Sequence, residues 1–414
     1  MSITTEKTSP PDSMVKRLGI IGAGMMGQGI AFSAANAGID VVLKDMSQAS
    51  ADKGKAYSAT VMDKRIARGK VSSDKKQPLL DCISPTTDKQ DLEGCDLIIE
   101  AVFEDMTLKH KVTREHEPCL NSDGIFATNT SSLPITQLAE ASNQPDRFIG
   151  LHFFSPVDKM PLVEVICGEQ TSEVTLTKAT GFVRQIGKTP IVVNDSLGFF
   201  SSRVFATPLA EATEMVAEGV HPERIERLAK ELGMPVAPLA SSDEVSQRLA
   251  VEIWDTQIAT GLMDPSQDPT PQGSQVVRDL VNKHHRGGRH HEGGFYDYND
   301  QGKTIWPELI RQYYQPTVDT AISDDDIKDR LLFRPVIESL MCLQEGVLRT
   351  AEDGNTGSLL GIGAPKWTGG YINVVNDYGI EVFIDRCGQL ARKYGARFTV
   401  PTIVIDKHKS GEMF

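Results

Sequence analysis

The stretch RLGIIGAGMMGQGIAF, residues 17–32, decides the first half of the fold. Its apolar run LGII (18–21) reads as a β-strand, and Gly22-Ala23-Gly24-Met25-Met26-Gly27 follows at once, opening a helix. In this context each glycine has a task. Gly22 permits a tight turn, Gly24 lets the backbone approach a pyrophosphate, and Gly27 lets helix and strand pack closely, while the helix N-terminus offers N–H groups to the anion. Asp45 ends the next strand, 18 residues after Gly27. A carboxylate there accepts hydrogen bonds from ribose hydroxyls and repels a 2′-phosphate, which favours NAD over NADP. A glycine-rich turn without a ligand would share the glycines, but not the ordered succession of strand, fingerprint, helix, second strand and acid.

Outward from this stretch, β-branched runs alternate with amphipathic segments as far as about Asp195, the pattern of a parallel sheet flanked by helices. The expected strands are LGII (18–21), IDVVL (39–43), DLIIEAV (96–102), GIFA (124–127), FIGLHFF (148–154), LVEVI (162–166) and PIVV (190–193). After Asp195 the character becomes helical, with helices expected at Val204–Glu218 and Pro222–Leu232, and a loop-rich stretch over 264–301. Arg203, Pro208, Glu211 and Glu218-Gly219-Val220 recur as Arg330, Pro335, Glu338 and Glu345-Gly346-Val347, every pair 127 residues apart. So long a period points to duplication of one helical domain rather than to a solenoid. The expected organisation is a disordered lead-in (1–14), a dinucleotide-binding domain (15–196), a helical domain (197–300), a linker (301–326) and a second helical domain (327–414).

Composition narrows the function. A net charge of -13 disfavours nucleic acid and anionic membrane as general partners. No apolar run approaches the roughly 20 residues of a membrane-spanning helix, and the polar first residues lack a signal-peptide core. The six cysteines form no CxxC pair, which fits reduced thiols in a cytoplasmic protein. HHRGGRHH (284–291) lacks the spacing of a defined metal site and reads as a flexible surface loop, so no metal is expected. Residues 46–76 carry eight basic and three acidic side chains, a local net charge of +5, with Lys64 and Arg68 the candidates to meet an anionic ligand.

The candidate chemistry lies in GLHFFSPVDKMPLVEV (150–165). His152 is near the end of one apolar run and Glu164 is inside the next. An ionisable side chain within a buried strand is costly unless paired. Two successive strands could bring them together, so that the carboxylate fixes the imidazole tautomer and the His removes a hydroxyl proton. From spacing alone, a satisfied core His and a structural Glu fit equally well.

GAGMMG, EAVFED, NTSSLPIT, DRFIGLHFFSPVDKMPLVEV and GKTPIVVNDSLGFFSSR, in this order, resemble the 3-hydroxyacyl-CoA dehydrogenase family, and most of all the dehydrogenase part of the multifunctional fatty-acid β-oxidation enzymes. The resemblance spans about residues 15–410. It implies an α/β Rossmann-type N-terminal domain followed by two all-α C-terminal domains, NAD as cofactor and an acyl-CoA as substrate. It further implies that His152 is the general base, that Glu164 orients it and that Ser131 hydrogen-bonds the reacting oxygen. Gly22, Gly24, Met26, Gly27, Asp45, Glu104, Lys109, Ser131 and Ser155 would line the NAD site, and Ser131, Ser202, Lys64 and Arg68 the substrate site. Packing of the two helical domains on each other would make a monomer sufficient, with a homodimer the alternative.

Ser155 and Ser202 stand where the family's HFFNP and GFxxNR motifs carry Asn; Ala237 and Leu360 also depart from the family pattern. A Ser hydroxyl is shorter than an Asn amide and offers fewer hydrogen bonds. These changes bear on substrate preference more than on reaction type. They also motivate a rival reading as a non-catalytic NAD- or acyl-CoA-binding subunit of an oxidation complex. A β-hydroxyacid dehydrogenase acting on a small free acid shares the glycine fingerprint but relies on a helix-borne Lys, against which the HFFSP and LVEV segments speak. No hydratase-like segment precedes residue 15, so the chain is expected to work alone, to pair with a separate enoyl-CoA hydratase or thiolase, or to be part of a longer enzyme.

Overall fold

The structure is a computed structural model that describes residues 14–414. The expected lead-in lies, but for Met14, outside the described residues. The chain divides after Phe199 into two compact units.

The first unit is built on eight strands: β1 (Arg17–Ile21), β2 (Asp40–Lys44), β3 (Ile83–Thr86), β4 (Cys95–Glu100), β5 (Leu120–Thr128), β6 (Phe148–Phe153), β7 (Leu162–Cys167) and β8 (Thr189–Asn194). They form one sheet in the order β3-β2-β1-β4-β5-β6-β7-β8. Seven of these correspond to the expected runs. The eighth, β3, is a four-residue edge strand, ISPT, whose Pro85 is tolerated only because an edge strand needs no full ladder of donors. β6 and β7 are buried at every position, which is why they read as continuous rather than alternating apolar runs.

Chain direction sets where the chemistry gathers. All pairings are parallel except β6 with β7. The loops after β1, β2, β4 and β5 therefore emerge at one edge of the sheet, the end of β6 lies at that edge, and β7 begins there. Between β1 and β4 the winding reverses, opening the crevice in which doubly wound sheets bind their ligands. Glycines let helices α1 (Met25–Asn36) and α2 (Gln48–Ala67) pack closely: a Cβ on Gly29 would come within 2.7 Å of Val157 in the loop after β6, and one on Gly54 within 2.8 Å of Leu43 in β2.

The second unit, Phe200–Phe414, is dominated by helices. Its helices Ser201–Glu218 and Asp324–Gln344 carry the repeat, each with a proline inside. Gly219 and Gly346, at their C-terminal ends, both have the positive φ that favours glycine. Their ion pairs are reciprocal. Arg203 donates to Glu338 and Glu345, while Arg330 donates to Glu211 and Glu218, so each arginine bonds the partners of the other shifted by the repeat. That exchange is the signature of a two-fold relation between like surfaces. The expected linker holds one strand of a short hairpin, Gly302–Ile305, and two helices, Pro307–Tyr313 and Pro316–Ala321.

Two readings of the loop-rich stretch need correction. It contains a regular helix, Pro271–Asn282, started by a proline in the first turn and held by buried Val276, Val277 and Leu280. HHRGGRHH is also pinned rather than flexible. Its Arg286 is buried over the Trp306 ring and donates to the Gly294 and Tyr296 carbonyls and to Asp297. Asp243 accepts from the Phe295 and Tyr296 N–H groups and the Tyr298 hydroxyl, and burial pushes its carboxyl up. Phe295 and Tyr296 are buried as well.

The two reciprocal arginines differ in burial. Arg330 and Glu211 are fully buried, whereas the Arg203 side chain is 22% exposed. Arg330→Met removes one of the two arginines that hold the buried Glu211, leaving only Arg397 beside it, and is expected to lower unfolding stability by about 3 kcal/mol. Arg203→Met should cost only about 1 kcal/mol. Denaturant titration of both variants checks this, and equal losses would count against burial as the controlling factor.

Candidate functional site

At the glycine loop the three positions are constrained differently. Gly22 has φ +99° and a Cβ there would lie 2.6 Å from the Ala101 carbonyl oxygen. A Cβ on Gly27 would collide with the Gly22 carbonyl oxygen, so helix and strand can approach only without it. A Cβ on Gly24 would meet nothing within 4 Å. Gly24 also provides no side-chain cap to α1, which leaves the first turn facing open space where an anionic group fits. Asp45 braces this loop from the end of β2: one oxygen accepts from Ala23 N–H at 2.7 Å, the other from Met46 N–H at 2.7 Å. Each carboxylate oxygen has a second lone pair for a ribose hydroxyl. Met26 is half-buried against the core. Met25, Met46 and Phe103 leave large apolar side chains exposed after β1, β2 and β4. The glycine loop, the acid and this apolar rim fit a dinucleotide.

A charged network closes the same edge between β4 and β5. Lys109, from the helix Met106–His116, is buried with its ammonium 2.9 and 3.0 Å from the two oxygens of Glu100 and 3.4 Å from Glu104. Glu104 in turn accepts from the Thr130 hydroxyl at 2.5 Å, from the N–H groups of Ser131 and Ser132 at 3.0 and 3.2 Å, and from the Ser132 hydroxyl at 3.1 Å. Burial pushes the Glu104 carboxyl up, but Lys109 and these donors outweigh it and hold it below the usual carboxylate value. The NTSSL loop after β5 is thus set by Glu104. It is also tied to β6 through Asn129, whose side-chain oxygen accepts from Phe153 N–H at 3.0 Å.

His152 and Glu164 stand opposite each other in the antiparallel register of β6 and β7. His152 Nδ1 is 3.0 Å from a Glu164 oxygen, and both side chains are buried, Glu164 completely. A carboxylate can only accept here, so Nδ1 carries the proton and Nε2 the lone pair. Phe154 lies 4.5 Å from the imidazole and Phe199 6.4 Å, ring centre to ring centre. Ser155 extends toward the glycine loop, its hydroxyl 3.7 Å from the Met25 sulfur.

The first unit therefore brings Gly22, Gly24, Met26, Gly27, Asp45, Glu104, Lys109, Ser131, His152, Ser155 and Glu164 to one edge of one sheet. Lys64 and Arg68 are exposed on α2 or just past its end. Their neighbour Arg65 is instead half-buried over the Phe32 ring. Ser202 is half-buried in the second unit, on the helix Ser201–Glu218. Sequence reasoning missed Glu100 and Asn129. The signal for Glu100 was an acid closing the buried run DLIIE. Among the described residues no group of three or more His, Cys, Asp or Glu is placed to hold a metal.

A sheet of this winding with a glycine loop, an acid after β2 and a paired His at the same edge defines a dinucleotide-binding α/β domain. The family description "3-hydroxyacyl-CoA dehydrogenase, NAD binding domain" matches residues 17–196, and "3-hydroxyacyl-CoA dehydrogenase, C-terminal domain" matches residues 198–298. The (S)-3-hydroxybutyryl-CoA dehydrogenase of Ralstonia eutropha is 36% identical over 69% of this chain and 100% of its own, with a TM-score of 0.64. The chain belongs to the 3-hydroxyacyl-CoA dehydrogenase family, and its cofactor is NAD. The fatty acid oxidation complex subunit alpha of Vibrio vulnificus is 34% identical over 97% of this chain and 56% of its own length, so the chain spans about half of that relative. A 3-hydroxybutyryl-CoA dehydrogenase of Escherichia coli K12 shares the fold over 96% of the chain, with a TM-score of 0.81 at 23% identity.

Gly24 and Gly27 separate binding from folding. Gly24→Ala, at φ -69° and with no atom in reach of its methyl, should keep the melting temperature while NADH affinity falls roughly 10-fold or more, because the methyl fills the approach to the pyrophosphate. Gly27→Ala should lower the melting temperature itself. Thermal melts with NADH fluorescence titrations check the pair, and wild-type NADH affinity in Gly24→Ala would contradict the assignment.

Proposed function

We propose that this chain carries out reversible NAD-dependent oxidation of an L-3-hydroxyacyl-CoA to the 3-oxoacyl-CoA, in fatty-acid β-oxidation or related acyl-CoA metabolism. The observation that carries this reading is the buried His152–Glu164 pair at the same sheet edge as the glycine loop. NAD, when bound, supplies the hydride acceptor for the hydrogen leaving C3. His152 Nε2 takes the hydroxyl proton, and Glu164 holds Nδ1–H and stabilises the imidazolium that forms. Ser131, on the loop fixed by Glu104, donates to the reacting oxygen. The Phe154 and Phe199 rings lie beside the imidazole and give it apolar surroundings.

Gly22, Gly24, Met26, Gly27, Asp45, Glu104, Lys109, Ser131 and Ser155 form the NAD site in this reading, and Ser202, Lys64 and Arg68 contact the substrate. The exposure of Lys64 and Arg68 suits the phosphates of a CoA held at the surface. A separate enoyl-CoA hydratase or thiolase is the partner such chemistry calls for, since one supplies the hydroxyl and the other consumes the ketone. Among the described residues no helix is long and apolar enough to cross a membrane, and a cytoplasmic location is part of the acyl-CoA reading proposed here.

Absorbance at 340 nm with 3-hydroxyacyl-CoA substrates of several chain lengths tests the activity. Turnover is expected with at least one of them; NADH binding without any turnover would instead favour the non-catalytic subunit, the reading that Ser155 and Ser202 motivate. His152→Ala should lower kcat by roughly 100- to 10,000-fold with NADH affinity kept. Undiminished turnover in that variant would refute the assigned base.

A further inference from the structure

The proposed reaction leaves Glu100 without a task, although it is a completely buried carboxylate at the cofactor edge. It ends β4, in register with Ile21 of β1 and Thr128 of β5. One oxygen accepts from Lys109 and from the Thr128 hydroxyl; the other accepts from Lys109 at 3.0 Å and from Val102 N–H at 3.3 Å. Burying an ion pair of this kind is costly, and apolar side chains of similar shape would fill the space at least as stably. Its geometry suggests a task beyond stability. The Lys109 ammonium lies closer to Glu100 than to Glu104, which is 3.4 Å away. Glu104 is thereby left with one oxygen to receive Thr130, Ser131 and Ser132. Without the Glu100 charge, the ammonium would close on Glu104 and draw its carboxylate away from that loop.

We propose that Glu100 is a positioning residue for the dehydrogenase reaction: by holding Lys109 it sets where Glu104 stands, and through Glu104 it sets the backbone of Ser131. The inference rests on the reading of Ser131 as the donor to the reacting oxygen. It also gives Lys109 a role from behind the crevice, since only 1% of its side chain is exposed. Neither group touches the reacting atoms. Their effect is a displacement of the donor loop, and small displacements of a reacting geometry are expensive in rate.

The test is Glu100→Gln, with 3-hydroxybutyryl-CoA turnover, NADH fluorescence titration and a thermal melt measured on the full chain. The expected result is a kcat lower by roughly 10- to 100-fold with the dissociation constant for NADH raised far less, by about 2- to 3-fold, because the Glu104–Ser131 loop shifts while the glycine loop and Asp45 stay in place. A merely structural role would instead weaken NADH binding in step with kcat and melting temperature. Should the single variant fail to fold, Glu100→Gln combined with Lys109→Met removes both buried charges. Because Glu100 acts through Lys109, that double variant should have the kcat of Lys109→Met alone. An unchanged kcat in Glu100→Gln, a loss of NADH binding parallel to the loss of turnover, or multiplying effects in the double variant would overturn the proposal. Failure of the dehydrogenase reading itself would appear in the wild-type chain; failure of this inference appears only in variants of an active wild type.

Discussion

A carboxylate with no exposure in the middle of a sheet has to be answered by a partner, and Glu164 is answered by His152 across the β6–β7 register. Every other strand pair in that sheet is parallel, so the reversal at β7 is what brings a second strand's side chain back to the carboxyl edge. Had β7 run parallel to β6, its beginning would lie at the far edge and Glu164 could not face the end of β6. The pair's contact, and with it the tautomer and the direction of Nε2, depends on this reversal.

The other carboxylates at the edge are held by similar means, each immobilised by donors before any ligand arrives. Asp45 is held by the backbone N–H groups of Ala23, in the glycine loop, and of Met46, the next residue, Glu104 by the NTSSL loop, and Glu100 by Lys109 and Thr128. Anchoring of this kind reduces the reorganisation that a bound cofactor or substrate would have to impose. In the second unit a different use of charge prevails, with Arg203 and Arg330 exchanging partners between the two copies of the repeat.

Much of this was legible in the amino-acid order because the decisive signals are local. The glycine fingerprint, the acid that ends β2 and seven of the eight strands need only neighbouring residues to be read. β3 escaped because ISPT is short, contains a proline and sits at an edge, where periodicity is weakest. The helix Pro271–Asn282 was hidden by the Pro, Gly and His content around it. Asp243 and Arg286 knit their loops through partners distant in sequence or through backbone groups that no composition reveals. For the site, spacing alone left His152 and Glu164 between chemistry and structure, and the resemblance of HFFSP and LVEV to a known family tipped the reading. The register then supplied the contact. Glu100 escaped because its meaning lies in the lysine it holds, one turn into the following helix.

The central claim is that Glu164 fixes His152 with the proton on Nδ1 and the lone pair on Nε2. Nitrogen-15 NMR of the His152 imidazole above its titration range measures this directly. The account predicts a single Nδ1–H tautomer in the wild-type chain and loss of that preference in Glu164→Gln; an Nε2–H tautomer in the wild type would contradict it.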